Sequence, residues 1–221
     1  TNAVYGFINI MLKSLEDEHA DYIAVAFDLK APTFRHEMFA EYKGTRKPMP
    51  QELHEQVPVI KEVLAAMTIP VITLEGYEAD DILGTLAKRC QRDGFEVSIL
   101  SGDRDLLQLA DEHIKIRMPK TVKGQTSIEN YYPSDVIDKY QVTPEEFIDL
   151  KALMGDSSDN IPGCPGVGEK TAQKLIAEFG SIENLLEHTD QLKGALKTKV
   201  ETNREMIIFS KFLATIKVDV P

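Results

Sequence analysis

Tyr22-Ile23-Ala24-Val25-Ala26-Phe27-Asp28 is an apolar run that ends on an acid. A short run without polar alternation is the pattern of a strand covered on both faces, as in a parallel sheet between helices. On its N-terminal side Val4, Phe7, Ile8, Met11, Leu12 and Leu15 fall at helical spacing, with Thr1 or Asn2 available as a cap. On its C-terminal side the theme repeats. A helix is expected over 51–67, disturbed at Pro58, then a strand over 69–74, a helix over 78–92, and a strand over 96–101 followed by a short helix. Residues 114–118 and 126–129 are expected to pair across the Lys123-Gly124 turn. Alternating strands and helices imply an α/β fold with a mostly parallel central sheet flanked by helices. After Tyr132-Pro133 helical patterns follow one another to about Leu213, broken by a Gly/Pro-rich loop at 155–168. The expected division is an α/β domain over 1–130 and a helical domain over 131–221.

The 221 residues are 43% hydrophobic, enough for one substantial core with a smaller appended unit. No apolar run approaches the ~18 residues of a membrane span, so no membrane association is expected. Cys90 and Cys164 have no metal-ligand spacing and read as reduced thiols, which points to a cytoplasmic protein. Against 25 basic residues stand 36 acidic ones, a net charge of −11. Taken alone that figure opposes nucleic-acid binding, whose affinity comes largely from neutralising phosphates.

The placement of the acids changes this reading. Asp28 closes the first strand, Glu78, Asp80 and Asp81 follow the second, and Asp103 and Asp105 follow the third. Sites in open parallel sheets form outside the carboxyl ends of the strands. Asp156 and Asp159, in Gly155-Asp156-Ser157-Ser158-Asp159, add a group from the helical part. Taken alone, an acid such as Asp28 is more often a helix cap or turn former, and Asp80, Asp81, Asp103 and Asp105 also read as helix caps. Gathered at one sheet end they repel one another unless a cation intervenes, and all-oxygen donors suit Mg2+, with Mn2+ as substitute. Two such ions favour in-line phosphoryl transfer without a protein nucleophile. With these eight acids set aside the remaining charge is only −3.

Between the first two strands lie Phe34, Arg35, His36, Phe39, Tyr42, Lys43, Arg46 and Lys47. Cations interleaved with aromatics suit a surface that holds phosphates and stacks on unpaired bases; an ordinary solvated loop is the alternative. Lys43 and Arg46 are the candidates for charge stabilisation at the reacting phosphate. In Gly163-Cys164-Pro165-Gly166-Val167-Gly168-Glu169-Lys170-Thr171, Gly163, Gly166 and Gly168 precede a helix carrying Lys170, Thr171 and Lys174. The spacing is neither a dinucleotide-binding fingerprint nor a P-loop. A helix–hairpin–helix reading the duplex backbone fits it, as does a tight interhelical turn.

These strings, together with Tyr77-Glu78-Ala79-Asp80-Asp81, Gly102-Asp103-Arg104-Asp105 and Met154-Gly155-Asp156-Ser157-Ser158-Asp159-Asn160-Ile161-Pro162-Gly163, resemble the 5′-nuclease (flap endonuclease) family along essentially the whole chain. The resemblance implies a PIN-like domain followed by a helix–three-turn–helix. It implies a two-metal, structure-specific 5′–3′ exonuclease and 5′-flap endonuclease acting on DNA flaps, nicks and RNA primers in replication and repair. By motif match Asp28, Glu78, Asp80 and Asp103 belong to a first metal group, with Asp81 and Asp105 alongside. Asp156 and Asp159 belong to a second. Lys43 and Arg46 lie at the base of a helical arch, and K+ is expected at the 163–171 hairpin. The closing segment from Leu213 to Pro221 resembles the end of the exonuclease domain that precedes a bacterial polymerase. A covalently linked polymerase domain, a monomer and a nucleoid-associated location are therefore expected. A free-standing flap endonuclease is the first alternative. The second is a catalytically dead DNA-binding module, because the family's first strand and its metal-ligating Asp are expected upstream of Thr1.

Overall fold

The computed structural model describes residues 2–221. Thr1, one of the two expected caps of the first helix, lies outside the described residues.

Helix α1 (Asn2–Glu18) turns Val4, Phe7, Ile8 and Leu15 onto Ile60 and Leu64 of α3 (Gln51–Ala66) and onto Ile69. The cap at its start comes from outside the helix, since the Ala3 N–H donates to Gln56 Oε1 of α3 at 2.9 Å. Between these helices run β1 (Val25–Ala26) and the short α2 (Phe34–Met38). Pro58 leaves α3 unbroken; it lies on the exposed side, where the carbonyl it cannot satisfy is free to meet water. Strand β2 (Val71–Ile72) pairs parallel with β1, Val25 opposite Val71.

Helix α4 (Ala79–Arg92) leads to β3 (Val97–Leu100), followed by a 3₁₀ turn over Arg104–Leu109. Strand β4 (Ile114–Val122) is parallel to β3 and forms an antiparallel hairpin with β5 (Gln125–Tyr131). The α/β class of the sequence reading holds, with one difference: the parallel strands form two sheets, β1-β2 and β3-β4-β5. Among the described residues no strand lies between them, so β1 and β3 each have one hydrogen-bonded neighbour and the regular pairing of β1 is only two residues long. Side chains tie the second sheet to α1 instead. Arg117 of β4, almost fully buried, meets Asp17 at 3.0 Å and Glu18 at 2.6 Å on α1, and Lys115 reaches the same Glu18.

The remainder is helical: α5 (Pro133–Tyr140), α6 (Pro144–Met154), α7 (Glu169–Phe179), α8 (Ile182–Glu187), α9 (Gly194–Thr202) and α10 (Arg204–Ala214). Thr143 and Glu146 form a capping box at α6, satisfying both ends of its first turn. The largest apolar cluster runs from Ala87 and Ile99 through Leu106, Ile114 and Ile116 to Leu150, Ile176 and Ile207. The β3-β4-β5 sheet and the later helices thus share one core, while β1, β2, α1 and α3 enclose a separate one. The tail after α10 follows α4: Lys217 N–H donates to Asp81 Oδ1 and Val220 N–H to Thr85 Oγ1. Gly84 permits this approach, because a Cβ there would stand 2.8 Å from Ile216 Cγ2.

Candidate active site

The acids sit where the strand order puts them, and several also cap helices. Asp28 follows β1 and accepts the Ala79 N–H at the start of α4, 2.8 Å away, through Oδ1. Glu78 is the N-cap of α4, and Asp103 accepts the Asp105 N–H at the start of the 3₁₀ turn. For Asp28 and Asp103 the bland and the chemical readings are therefore compatible, because the cap engages only Oδ1, whereas both oxygens of Glu78 are met by Lys43, Arg35 and Tyr42.

Four cations reach into the acid group. Arg35 grips Asp81 with two 2.8 Å bonds and touches Glu78. Lys43 Nζ lies 2.6 Å from Glu78 Oε1 and 3.8 Å from Asp159 Oδ2; Arg46 pairs with Asp159, and Lys151 with both Asp105 and Asp156. Tyr42 Oη lies 3.1 Å from Glu78 Oε2 and 3.2 Å from Asp159 Oδ2, with one proton to donate between them, and burial beside those acids raises its pKa. Among the described residues Asp28, Asp80 and Asp103 have no cation in contact. Burial, then repulsion from Asp103, pushes the Asp80 carboxyl up to about 7, with Asp28 and Glu78 adding to the rise. Burial likewise lifts Asp105 to about 6, against the pull of Lys151. Burial opposes ionisation of Asp156 as well, but Lys151 and Ser158 outweigh it and hold that acid at about 2.

Among the described residues no three His, Cys, Asp or Glu side chains already surround one point as a finished metal shell. The donor set nevertheless fits a hard divalent ion. Asp80 is an acid whose charge is disfavoured by its own neighbours, and Asp105 Oδ1 is buried without a hydrogen-bond partner, its contact with Lys151 lying outside hydrogen-bond geometry. A divalent cation with water in its shell relieves both conditions.

Three of the expected residues are placed otherwise than the sequence suggested. Arg35 and Tyr42, expected on a nucleic-acid surface, are buried; Arg35 also donates to the Leu213 and Thr215 carbonyls. Its positive charge is opposed by burial and secured by Asp81. Asp81, expected among the metal ligands, has both oxygens taken, Oδ1 by Arg35 and Lys217 N–H and Oδ2 by Arg35 and Glu78 N–H. Phe34 packs between Tyr77 and Phe212 and is half-buried. Lys43 and Arg46 sit inside the acid group, while Lys47 is exposed in the segment before α3.

The glycine loop folds back on α6. Asp156 and Ile161 exchange backbone hydrogen bonds, the Cys164 N–H donates to the Leu153 carbonyl and the Gly163 N–H to Ser210 Oγ. Gly163 has φ +63°, and a Cβ there would stand 2.7 Å from the Gly155 Cα, so this crossing excludes any side chain. Gly166, at φ +76°, faces Lys199 Nζ, 3.4 Å from its carbonyl oxygen. Gly168 caps α7 and borders open space. Lys170 and Lys174 are exposed one turn apart on α7, with Thr171 half-buried between them.

Sequence reasoning missed Lys151. Its signal was a lysine inside the otherwise apolar Leu150-Lys151-Ala152-Leu153-Met154, directly before Gly155-Asp156.

Residues 1–141 match the 5′–3′ exonuclease N-terminal resolvase-like domain, and residues 142–221 the 5′–3′ exonuclease C-terminal SAM fold. DNA polymerase I of Bacillus caldotenax is 54% identical over 222 residues, covering 100% of this chain and 25% of the polymerase. The chain thus spans about a quarter of the length of that relative. A bacteriophage T5 5′-exonuclease structure with bound zinc superposes with a TM-score of 0.81 at 25% identity, covering 97% of this chain and 81% of the other. A T5 flap endonuclease in a pseudo-enzyme–product complex with DNA and metal ions gives 0.78 at 25% identity, covering 97% and 80%. With both halves matched in order, and the strand-end acids and glycine hairpin in place, the chain belongs to the 5′–3′ exonuclease family.

Proposed function

We propose that this chain hydrolyses DNA phosphodiester bonds at 5′ ends, 5′ flaps and nicks, and removes RNA primers, with Mg2+ or Mn2+ as cofactor. The observation that carries this reading is the trio Asp28, Asp80 and Asp103, brought to one end of the parallel strands with, among the described residues, no cation in contact with any of them. Bound divalent ions there supply an activated water and offset charge on the phosphate. The chain's own residues do the rest. Asp28, Asp80 and Asp103 hold the ions, with Glu78 at the border of that group and Asp105, Asp156 and Asp159 on the helical side. Lys43 and Arg46 lie beside them and offer positive charge to the reacting phosphate. Lys47, Lys170 and Lys174 bind backbone phosphates, and the open start of α7 at Gly168 presents N–H groups to one more.

K+ at the 163–171 hairpin belongs to the same proposal, as does action on the DNA of the bacterial nucleoid by a protein that is monomeric. Attachment to a polymerase is supported by the relative of which this chain matches one quarter. Metal and DNA bound together in the T5 complex support a shared mode of binding. Among the described residues no helix is long and apolar enough to cross a membrane.

The test is cleavage of an end-labelled 5′-flap duplex in Mg2+, EDTA and Mn2+, with Asp80→Asn as control. Cleavage at the flap junction that needs the divalent ion and Asp80 is the expected result. Flap binding without cleavage by the full-length wild-type protein in either metal overturns the enzyme reading in favour of a DNA-binding module.

A further inference from the structure

The two acid groups of the site are joined by one side chain. Lys151 belongs to α6, a helix buried almost all round, where it sits among Phe147, Leu150, Ala152 and Leu153. Its side chain is only 10% exposed. A lysine is buried at such a place only when its charge is matched, and the match is supplied by acids from two segments. Nζ lies 2.6 Å from Asp105 Oδ1, beyond β3, and pairs with Asp156 Oδ2, beyond α6. Among the described residues neither acid touches another cation. Each keeps an oxygen that the lysine does not use, Asp156 Oδ1 accepting from Ser158. An ammonium and a divalent cation cannot both occupy contact distance between the same two carboxylates, because like charges a few ångströms apart in a half-dry site repel strongly.

We propose that Lys151 is a positioning residue that holds the Asp105–Asp156 position as an internal cation, so that a divalent ion enters there only by displacing the ammonium. The inference rests on reading the acid end as a divalent-metal site and adds an order to its filling. Asp28, Asp80 and Asp103 take the first ion, since among the described residues no cation is in contact with them. Asp105 and Asp156 take the second more weakly. The same contact keeps the metal-free site folded, because it cancels repulsion between two acids that face each other across the α/β and helical parts.

Mn2+ binding to the full chain without DNA, followed by electron paramagnetic resonance of the free ion and by calorimetry, tests this directly. Wild type is expected to show a tighter and a weaker class. Lys151→Gln is expected to tighten the weaker class at least tenfold, and Lys151→Arg to leave it weak. Metal-free Lys151→Gln is expected to melt below wild type, and saturating Mn2+ to close the gap. An unchanged or weakened second class in folded Lys151→Gln overturns the proposal. Should that variant not fold without metal, the 15Nζ resonance of Lys151 in wild type decides. A shift as Mg2+ fills the weaker class supports displacement, and an unmoved signal at saturation refutes it. No Mn2+ binding by wild type at all overturns the metal reading itself, an outcome distinct from two classes that ignore Lys151.

Discussion

The acid end of the strands and the glycine hairpin after α6 are both candidate phosphate-handling regions, built on opposite principles. The first is made of side chains. Eight acids and four cations from distant segments meet there, and its properties follow from which charges are matched and which are left over. The second is made of missing side chains, for Gly163 must cross Gly155 where a Cβ has no room. Charge at Asp80 is expected to be removable with the fold intact, whereas at the hairpin any duplex contact and the fold would rest on the same atoms.

The sharpest test of that contrast is Asp80→Asn. It is expected to lower flap cleavage by about a thousandfold, the scale seen when charge stabilisation at a reacting centre is lost, while flap binding by gel shift stays within a few fold. Gly163→Ala probes the other side. It is expected to destabilise the protein by about 3 kcal/mol, as overpacked and left-handed positions do, and to weaken duplex binding along with the melting temperature. Gly168→Ala, at an ordinary φ of −95° and next to open space, should cost no more than about 1 kcal/mol, the loss of a favourable N-cap. If Gly163→Ala weakens binding without destabilising, the contrast between the regions fails.

A third measurement uses the charge that the acid end carries without metal. The Asp80 carboxyl is held at about 7 in the folded chain against an ordinary 3.8. A carboxyl raised by folding opposes the folded state. The opposition begins as pH rises above about 4, grows to about pH 7 and is constant beyond. Metal-free Asp80→Asn should therefore be more stable than wild type at pH 8, by up to about 4 kcal/mol, with the advantage fading towards pH 4. Thermal unfolding in EDTA across that range checks it. The smallest effects belong to the exposed lysines of α7. Lys170→Ala and Lys174→Ala should each weaken duplex binding a few fold and reduce the slope of log K against log salt by about 0.9. Cleavage at saturating DNA should be unaffected.

Much of this was legible in the sequence, because strand ends and loop glycines are local signals. The run from Tyr22 to Asp28 gave both a strand and an acid at its end, and the hairpin declared itself by glycine spacing before α7. What could not be read depends on partners far along the chain. Arg35 looks like a surface cation beside aromatics until Asp81 and the Leu213 carbonyl take it inside. Lys151 looks like one more helix lysine until α6 docks against the turn that carries Asp105. Continuity of the sheet was hidden for the same reason, since apolar runs specify burial but not which strand lies alongside.

The clasp between Arg35 and the end of α10 has a consequence for how the molecule is made. Arg35 donates to Leu213 across 178 residues and to Thr215 across 180, and the Lys217 N–H closes on Asp81 across 136. Contacts of such separation form late, and synthesis runs from the N-terminus. A growing chain on the ribosome carries every strand-end acid long before it has the residues that lock Arg35 and Asp81 in register. Within these 221 residues the acid end is thus among the last parts to be finished, and a chain interrupted before Leu213 is left with acids but no assembled centre.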